Sequence, residues 1–273
     1  MAPRSLDFEY LRTLVRQQTG VVLEAHKDYL AELHLDKLAC QMGFESIAAF
    51  TEHLKAIPFN HLHSQAIEAL LTNETFFFRD SYPFETLRTT VLPGLIQSRT
   101  TERAINIWSA GCSTGQEPYS IAMLIRESFP ELLNWRIRLV ASDFSRQSLK
   151  RAKQGLYSNL EVGRGLIPGL RDRYFYPLGD SWQIQDEIRQ MVEFHQLNLL
   201  HSWHSLPQMD VIFLRNVLIY FDNETKQSIL CKVRHHLKQD GYLFLGSGET
   251  TSYLDSSFES VQGKASLFHR LRI

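Results

Sequence analysis

From about residue 100 onward, short β-type apolar runs alternate with helical ones. That alternation restricts this part of the chain to a largely parallel sheet with helices on both faces. Residues 104–109 (AINIWS) form the first run, which ends in the glycine-containing stretch 110–115. Residues 118–129 are expected to be helical, with Pro118 suited to the first turn. Residues 135–142 form a second strand ending at Asp143, after which Ser145 caps a helix running to about Lys153 and stopped by Gly155. Residues 192–194, 211–214 and 242–245 are further strands, with an amphipathic helix over 223–237 between the last two. The tail, 258–270, has two β-like runs around Gln262-Gly263 and reads as a hairpin that adds antiparallel edge strands.

Residues 1–72 have a different character. Apolar residues recur there at helical spacing: Phe8, Leu11 and Val15, then Tyr29, Leu30, Leu33 and Leu38, then Ile47, Phe50 and Leu54 after a break at Gly43. Strand signal is limited to Gly20-Val21-Val22-Leu23. The expected organisation is an all-α N-terminal domain of about four helices over 1–72, a linker over 73–100, and an α/β domain over 101–273. With 273 residues, 44% of them hydrophobic, the chain can bury a full α/β core and a small companion.

A net charge of -1 provides no global field for nucleic acid or an anionic membrane. Cys40, Cys112 and Cys231 are far apart with no CxxC pair, which points to a reducing cytoplasm and not to a disulfide framework. The opening MAPRSLDFEY has acids where a secretory signal needs an apolar run. No stretch approaches the ~20 apolar residues of a membrane span. The expectation is a cytoplasmic monomer that neither inserts into membranes nor binds nucleic acid.

Open α/β sheets bind ligands at the carboxyl ends of their strands, near the switch in strand order. The first strand runs into Ala110-Gly111-Cys112-Ser113-Thr114-Gly115, where glycines let the backbone approach a ligand. The dinucleotide fingerprint G-x-G-x-x-G is absent, as is the Gly-Lys-Ser/Thr of a P-loop. A plain strand-to-helix turn is the competing explanation of the loop by itself. Asp143, at the end of the second strand, suits both hydroxyls of a ribose, or it is the cap of the next helix. Together, loop and acid suggest an adenosyl ligand without a pyrophosphate. Glu117 suits an amino-acid ammonium, or it answers the dipole of its own helix.

The segment 72–80 (TNETFFFRD) is explained by no pattern rule. With Gly111-Cys112-Ser113-Thr114-Gly115-Gln116-Glu117-Pro118-Tyr119-Ser120, Asn198-Leu199-Leu200, Arg215-Asn216-Val217-Leu218-Ile219-Tyr220-Phe221 and Gly246-Ser247-Gly248-Glu249, it resembles the CheR family of chemotaxis receptor methyltransferases, in the family's order. The resemblance implies a class I S-adenosylmethionine-dependent methyltransferase domain, Rossmann-like, with a mostly parallel sheet and an antiparallel C-terminal hairpin. It also implies a small all-α N-terminal domain, with cofactor held between the two. It places Asn73, Thr75, Arg79, Gly111, Glu117, Asp143, Asn198, Leu199, Arg215 and Asn216 around S-adenosyl-L-methionine or its product S-adenosyl-L-homocysteine. Arg79 suits the methionine carboxylate, and Asn198 with the Leu199 backbone suits the adenine edge. Arg79 and Tyr220 are the expected catalytic residues, Tyr220 beside the reacting methyl. The implied partner is the cytoplasmic domain of a methyl-accepting chemotaxis receptor, and the implied reaction is methylation of its glutamate side chains.

That chemistry asks little of the protein. A sulfonium methyl is already activated and a glutamate is already ionised at neutral pH, so no general base is needed. Positioning and partial desolvation suffice. Leu214-Arg215-Asn216-Val217 stands where amine methyltransferases often carry Asn/Asp-Pro-Pro-Tyr, which argues against an amine acceptor. Two departures from the family pattern are visible: Gln116 where a second glutamate is usual, and an arginine-poor helix over 29–43, with Lys37 its one lysine. Residues 1–70 hold six Lys/Arg against nine Asp/Glu, so docking is expected to depend weakly on salt, with His26 and His34 adding charge below about pH 6.5. The pairs His61/His63, His201/His204 and His235/His236 lack the spacing of a metal site, and none is expected. Cys112 is explained by its small size. The alternative to an enzyme is a non-catalytic, S-adenosylmethionine-sensing interaction protein on the same fold.

Overall fold

The computed structural model describes the backbone of residues 4–23 and 28–272, and the side chains of 8–23 and 32–272. Internal contacts divide the chain into two units: Met1–Thr72 with Tyr220–Thr225, and Asn73–Ile219 with Lys226–Ile273.

The first unit holds helices α1 (Arg4–Thr19), α2 (Asp28–Gln41), α3 (Ile47–Ala56) and α4 (His61–Leu70). Their ends are set by local chemistry. Ser46 caps α3 by accepting from Ala49 N–H at 3.1 Å. Asn60 caps α4 in a reciprocal box in which His63 Nδ1 accepts from Asn60 N–H. The other ring nitrogen of the buried His63 lies 3.0 Å from the Leu54 carbonyl, so this histidine is a structural tie. Phe8, Leu11, Val15, Phe50 and Leu54 are buried as the helical spacing predicts. In α2 the spacing misleads: Leu33 is 66% exposed, and among the described residues Leu35 and Ala39 are the buried positions. With leucines at 33, 35 and 38, this helix is apolar on opposite sides, so sequence alone does not choose its inner face. The side chains of Tyr29 and Leu30, and all of His26 and Lys27, lie outside the described residues. Gly20-Val21-Val22-Leu23 yields one antiparallel bridge, Val21 to Phe221, beside a 2.8 Å bond from Val22 N–H to the Tyr220 carbonyl.

The second unit is built on strands β1 (Ala104–Ala110), β2 (Arg136–Asp143), β3 (Leu156–Ser158), β4 (Phe175–Leu178), β5 (Ser181–Ile184), β6 (Val192–Gln196), β7 (Met209–Leu214), β8 (Leu237–Leu245), β9 (Phe258–Gln262) and β10 (Leu267–Leu271). Seven form one sheet in the order β6-β2-β1-β7-β8-β10-β9. The first five in that order pair in parallel, and the C-terminal hairpin adds β10 and β9 antiparallel. The chain steps outward from β1 to β2 and β6, then returns to the other side of β1 as β7. The switch in strand order therefore falls between β1 and β7. Parallel strands covered on both faces must be apolar throughout, and β7 is buried at all six residues. Helix Gln116–Ser128 lies deep enough to bury nine of its residues, Ile121, Ala122 and Ile125 among them.

Two features were not legible in the pattern. Residues 82–98 are helical almost throughout, with one π-type turn over Leu87–Val91, and they bury Phe84, Leu87, Val91, Leu92 and Leu95 in the same core. A separate antiparallel sheet, β3-β5-β4, is inserted between helix Arg146–Gln154 and β6. Its strands are three or four residues long and mostly half-exposed, too short for alternation to register.

Near the amino ends of the central strands, one fully buried carboxylate holds several elements. Asp210 accepts from Arg99 Nε at 2.9 Å, from Lys238 Nζ at 2.9 and 3.0 Å, and from the Asn106 amide at 2.8 Å. The hydrogen bond to Asp240, aided by Asp210, holds the Arg99 pKa above its ordinary value. Removing one member of a buried ionic cluster strands the others without water or partner. Asp210→Ala is therefore expected to cost roughly 3–5 kcal/mol of unfolding free energy, measurable by urea denaturation. A second expectation concerns acid. His269 is buried near Thr251 Oγ1 and Ser260 Oγ, both 3.2 Å from Nδ1, and burial lowers its pKa below the usual 6.5. Its neutral form is favoured in the fold, while the unfolded chain takes up a proton at its ordinary pKa. Its contribution to stability is thus full above pH 6.5 and is lost as pH falls through the lower folded value. The urea midpoint should fall between about pH 7 and about pH 5, and His269→Gln should flatten that slope.

Candidate active site

The loops after β1 and β7 meet at the switch point. Gly111 has φ +72°, and a Cβ there would stand 2.5 Å from Val217 Cγ2. Gly115, at φ +96°, precedes helix Gln116–Ser128, with Ala152, Tyr119 and Tyr157 crowding its α-carbon. Between them Ser113 also takes a positive φ of 49°. Its amide donates to Asp143 Oδ2 at 2.8 Å, and its hydroxyl donates to the Asn73 carbonyl at 2.8 Å. The β1 loop is thereby fastened to the end of β2 and to the start of the 73–80 segment.

Asp143 is not the cap of the following helix. Ser145 is, accepting from Ser148 N–H at 3.0 Å, while Asp143 Oδ1 accepts from Ser145 N–H at 2.9 Å. A carboxylate offers about four lone-pair positions, and these bonds orient the group. Glu117 does more than answer a helix dipole. Its Oε1 accepts from Ser109 Oγ at 2.8 Å and its Oε2 from Arg215 Nη1 at 2.9 Å.

Arg215 follows β7 directly and is the hub of the site. Its side chain is 1% exposed. Nη1 donates to Glu117, and Nη2 donates to Asp80 Oδ2 and the Arg79 carbonyl, both at 2.8 Å. Its Nε is buried with no acceptor among the described residues. Asp80 therefore pairs with Arg215 and not with its neighbour Arg79. Arg79 donates Nη1 to the Glu74 carbonyl at 3.0 Å and lies over the Phe76 ring, and among the described residues no carboxylate pairs with it. The tight turn that arranges this segment uses positive φ at Phe78, Asp80 and Ser81. It is anchored by buried Phe77, edge-on to Tyr157 and Phe175, and by the Phe78 amide on Ser120 Oγ at 2.9 Å.

At the end of β6, Asn198 Oδ1 accepts from Leu200 N–H at 3.0 Å. Lys232 Nζ donates to the carbonyls of Leu199, Leu200 and His201 at 2.6, 2.8 and 3.1 Å, which pins this turn. Asn216 holds a left-handed φ of +57°. Asn73 is exposed and Thr75 half-buried on the segment leading into the turn. The second unit thus contains Asn73, Thr75, Arg79, Gly111, Glu117, Asp143, Asn198, Leu199, Arg215 and Asn216, whereas Tyr220 belongs to the first.

Sequence reasoning missed Asp80, Lys232 and Glu249 as supports. Asp80 and Glu249 stand inside motifs of the family resemblance, Asp80 next to Arg79. Lys232 had no signal, being one cation on an amphipathic helix.

Asp143 and Glu117 make the loop's surroundings negative. Burial first, then these two charges, push the Cys112 thiol well above its usual range, so it is protonated and unreactive at neutral pH. Two carboxylates beside a helix N-terminus oppose a phosphate and favour a cationic, hydroxyl-bearing ligand. The close approach at Gly111 carries its own expectation. Gly111→Ala should destabilise the fold by at least about 1 kcal/mol, from the positive φ and the contact with Val217. Val217→Ala in the same chain should restore part of that loss, read by denaturation in a double-mutant cycle.

Residues 73–267 match the family model described as CheR methyltransferase, SAM binding domain. "Chemotaxis protein methyltransferase Cher2" of Pseudomonas putida is 39% identical over 276 residues, with all of both chains covered. "Chemotaxis protein methyltransferase 1" of Pseudomonas aeruginosa is 40% identical over 277 residues, again with all of both chains covered. "Chemotaxis protein methyltransferase" of Borreliella burgdorferi is 34% identical over 242 residues, 87% of this chain and 85% of that one. Among the described residues no helix is long and apolar enough to cross a membrane. With a parallel sheet that switches order between β1 and β7 and a match running through every loop at that switch, the chain belongs to the CheR methyltransferase family and carries its S-adenosylmethionine-binding domain.

Proposed function

We propose that this protein transfers the methyl group of S-adenosylmethionine to glutamate side-chain carboxylates of a chemotaxis-type receptor. The observation that carries the receptor class is full-length identity of 39–40% to relatives named chemotaxis protein methyltransferases. The site supports an already ionised oxygen acceptor. Cys112 is protonated, no amine-holding motif follows β7, and the chemistry needs no general base.

The residues divide by the chemistry they offer. Asp143, oriented by Ser113 and Ser145, accepts from the ribose hydroxyls. Asn198 and the Leu199 backbone read the adenine edge from a turn that Lys232 pins. Arg79, with no carboxylate partner of its own among the described residues, takes the methionine carboxylate. Glu117 and Asp80 share Arg215, and the pair of acids leaves negative potential for an ammonium or sulfonium. Asn73, Thr75, Gly111 and Asn216 form the walls. When bound, S-adenosylmethionine supplies a methyl on a positively charged sulfur, ready for in-line displacement. On the strength of the family resemblance, Arg79 and Tyr220 are the catalytic residues, Arg79 through the methionine carboxylate and Tyr220 beside the transferred methyl.

Docking supports a mode without a basic N-terminal helix. Within the first unit, Arg16 pairs with Asp222 at 2.9 Å and Lys55 with Glu52 at 2.7 Å, while Arg12 lies 3.5 Å from Glu9. On α2 the one described lysine is Lys37, and it has no acidic partner among the described residues.

The test is transfer of labelled methyl to purified receptor cytoplasmic domains, followed by mild base. A base-labile label is expected, and Asp143→Ala should weaken S-adenosylhomocysteine binding about 10- to 100-fold, equivalent to roughly 1.5–3 kcal/mol. Replacing Lys27 and Lys37 by Ala should leave the salt dependence of methylation nearly unchanged. A base-stable label would exclude a glutamyl ester. Cofactor binding without transfer to any receptor domain would favour a sensing, non-catalytic role.

A further inference from the structure

The backbone amides of the loop after β7 are held by one carboxylate from outside it. Glu249 lies four residues beyond β8, in Gly246-Ser247-Gly248-Glu249. Its Oε2 accepts from the amides of Gly246 at 2.6 Å and Asn216 at 2.7 Å. Its Oε1 accepts from the amides of Val217 at 2.9 Å and Ile219 at 3.2 Å. Three of those four donors belong to the loop that begins with Arg215. The amides of Gly246, Asn216 and Val217 are buried or half-buried and that of Ile219 lies on an exposed residue; one side chain accepts from all four.

The backbone around Glu249 is fitted to this task. A Cβ on Gly246 would lie 2.7 Å from Asn216 Nδ2, 2.8 Å from Glu249 Oε2 and 2.9 Å from the Asn216 amide, so a side chain there would part the two loops. The held conformation puts Asn216 at φ +57° and sets Val217 against the bare α-carbon of Gly111. It also directs the Arg215 guanidinium, whose neighbours Glu117 and Asp80 come from two other segments. Asn at a left-handed φ costs less than most residues, but still more than glycine, so the conformation needs outside support.

We infer that Glu249 is a positioning residue for methyl transfer: its carboxylate holds the Arg215–Val217 loop in the conformation that closes the switch-point site against Gly111. It acts through that loop. The inference rests on the proposed assignment of Arg215, Asn216, Gly111 and Asp143 to the S-adenosylmethionine site. A carboxamide offers one acceptor atom where the carboxylate offers two, and its NH₂ would face amide donors, so Glu249→Gln loses two bonds at nearly constant volume.

The experiment compares the full chain with Glu249→Gln, Glu249→Ala and Asp143→Ala. Readouts are S-adenosylhomocysteine affinity by calorimetry, kcat and KM for methylation, and amide hydrogen exchange. Both Glu249 variants should weaken S-adenosylhomocysteine at least 5-fold, Ala more than Gln, and lower kcat with little change in KM for the receptor domain. Exchange should accelerate at Val217 and Ile219 but not at Ile107 or Trp108 in β1. If Glu249→Ala does not fold, Glu249→Gln carries the same test. A folded Glu249→Gln that melts earlier, yet binds and turns over as the parent does, would overturn the inference and leave Glu249 a stabilising residue only. The Asp143→Ala arm separates the two failures. Weakened binding there with unchanged Glu249 variants overturns the positioning role alone, whereas unchanged binding in all three variants overturns the site assignment and this inference with it.

Discussion

The second unit's site is organised around the guanidinium of Arg215. A buried cation is costly unless it is paired and hydrogen-bonded, and Arg215 meets that demand with groups from two other segments. Glu117 comes from the helix after β1, and Asp80 with the Arg79 carbonyl comes from the turn before the first strand. Because a planar guanidinium offers donors in fixed directions, satisfying it fixes the three segments with respect to one another. The strands bring those segments to one end of the sheet, and the ion cluster sets how closely they approach.

The same cluster sets the charge around the switch point. Glu117 and Asp80 together outnumber the one guanidinium they share, and Asp143 adds another carboxylate across the β1 loop. Under the proposed assignment, these carboxylates disfavour a pyrophosphate and favour a ligand with a ribose and positive charge. The buried, protonated Cys112 fits the proposed reaction, which is governed by placement. Under the proposed function the acceptor is already an anion, which leaves proton transfer no role to fill. Supports lie one shell further out: Ser113 ties the loop to Asp143, Lys232 pins the turn after β6, and Glu249 gathers four amides around the turn after β7.

Much of the main sheet was legible because parallel strands have a simple requirement. Both of their faces are covered, so their apolar runs are continuous, and the helices between them carry caps. Ser145 and Gly155 bound their helix where the capping chemistry placed them, and the hairpin after Phe258 turned near Gln262-Gly263. The inserted sheet was illegible for the opposite reason. Leu156–Ser158, Phe175–Leu178 and Ser181–Ile184 are too short and too exposed for periodicity to stand out. Leu33 misled because α2 carries leucines on opposite sides, and only packing chose Leu35 and Ala39. Within the site, motif order named residues well but paired them poorly. Adjacency offers Arg79 as the partner of Asp80, whereas the turn, with positive φ on either side of Arg79, carries Asp80 to Arg215.

The sequence by itself determined the fold class, the family and the residue types available at the strand ends. Those follow from local period, capping chemistry and motifs whose spacing survives along the chain. Tertiary structure alone decided which of those residues share protons and charge. Arg215 meets Glu117 across 98 positions and Asp80 across 135, and Glu249 reaches Asn216 across 33. Hydrogen bonds at such separations are set by strand order and by the requirement that buried donors and charges find partners, and neither can be read from neighbouring letters.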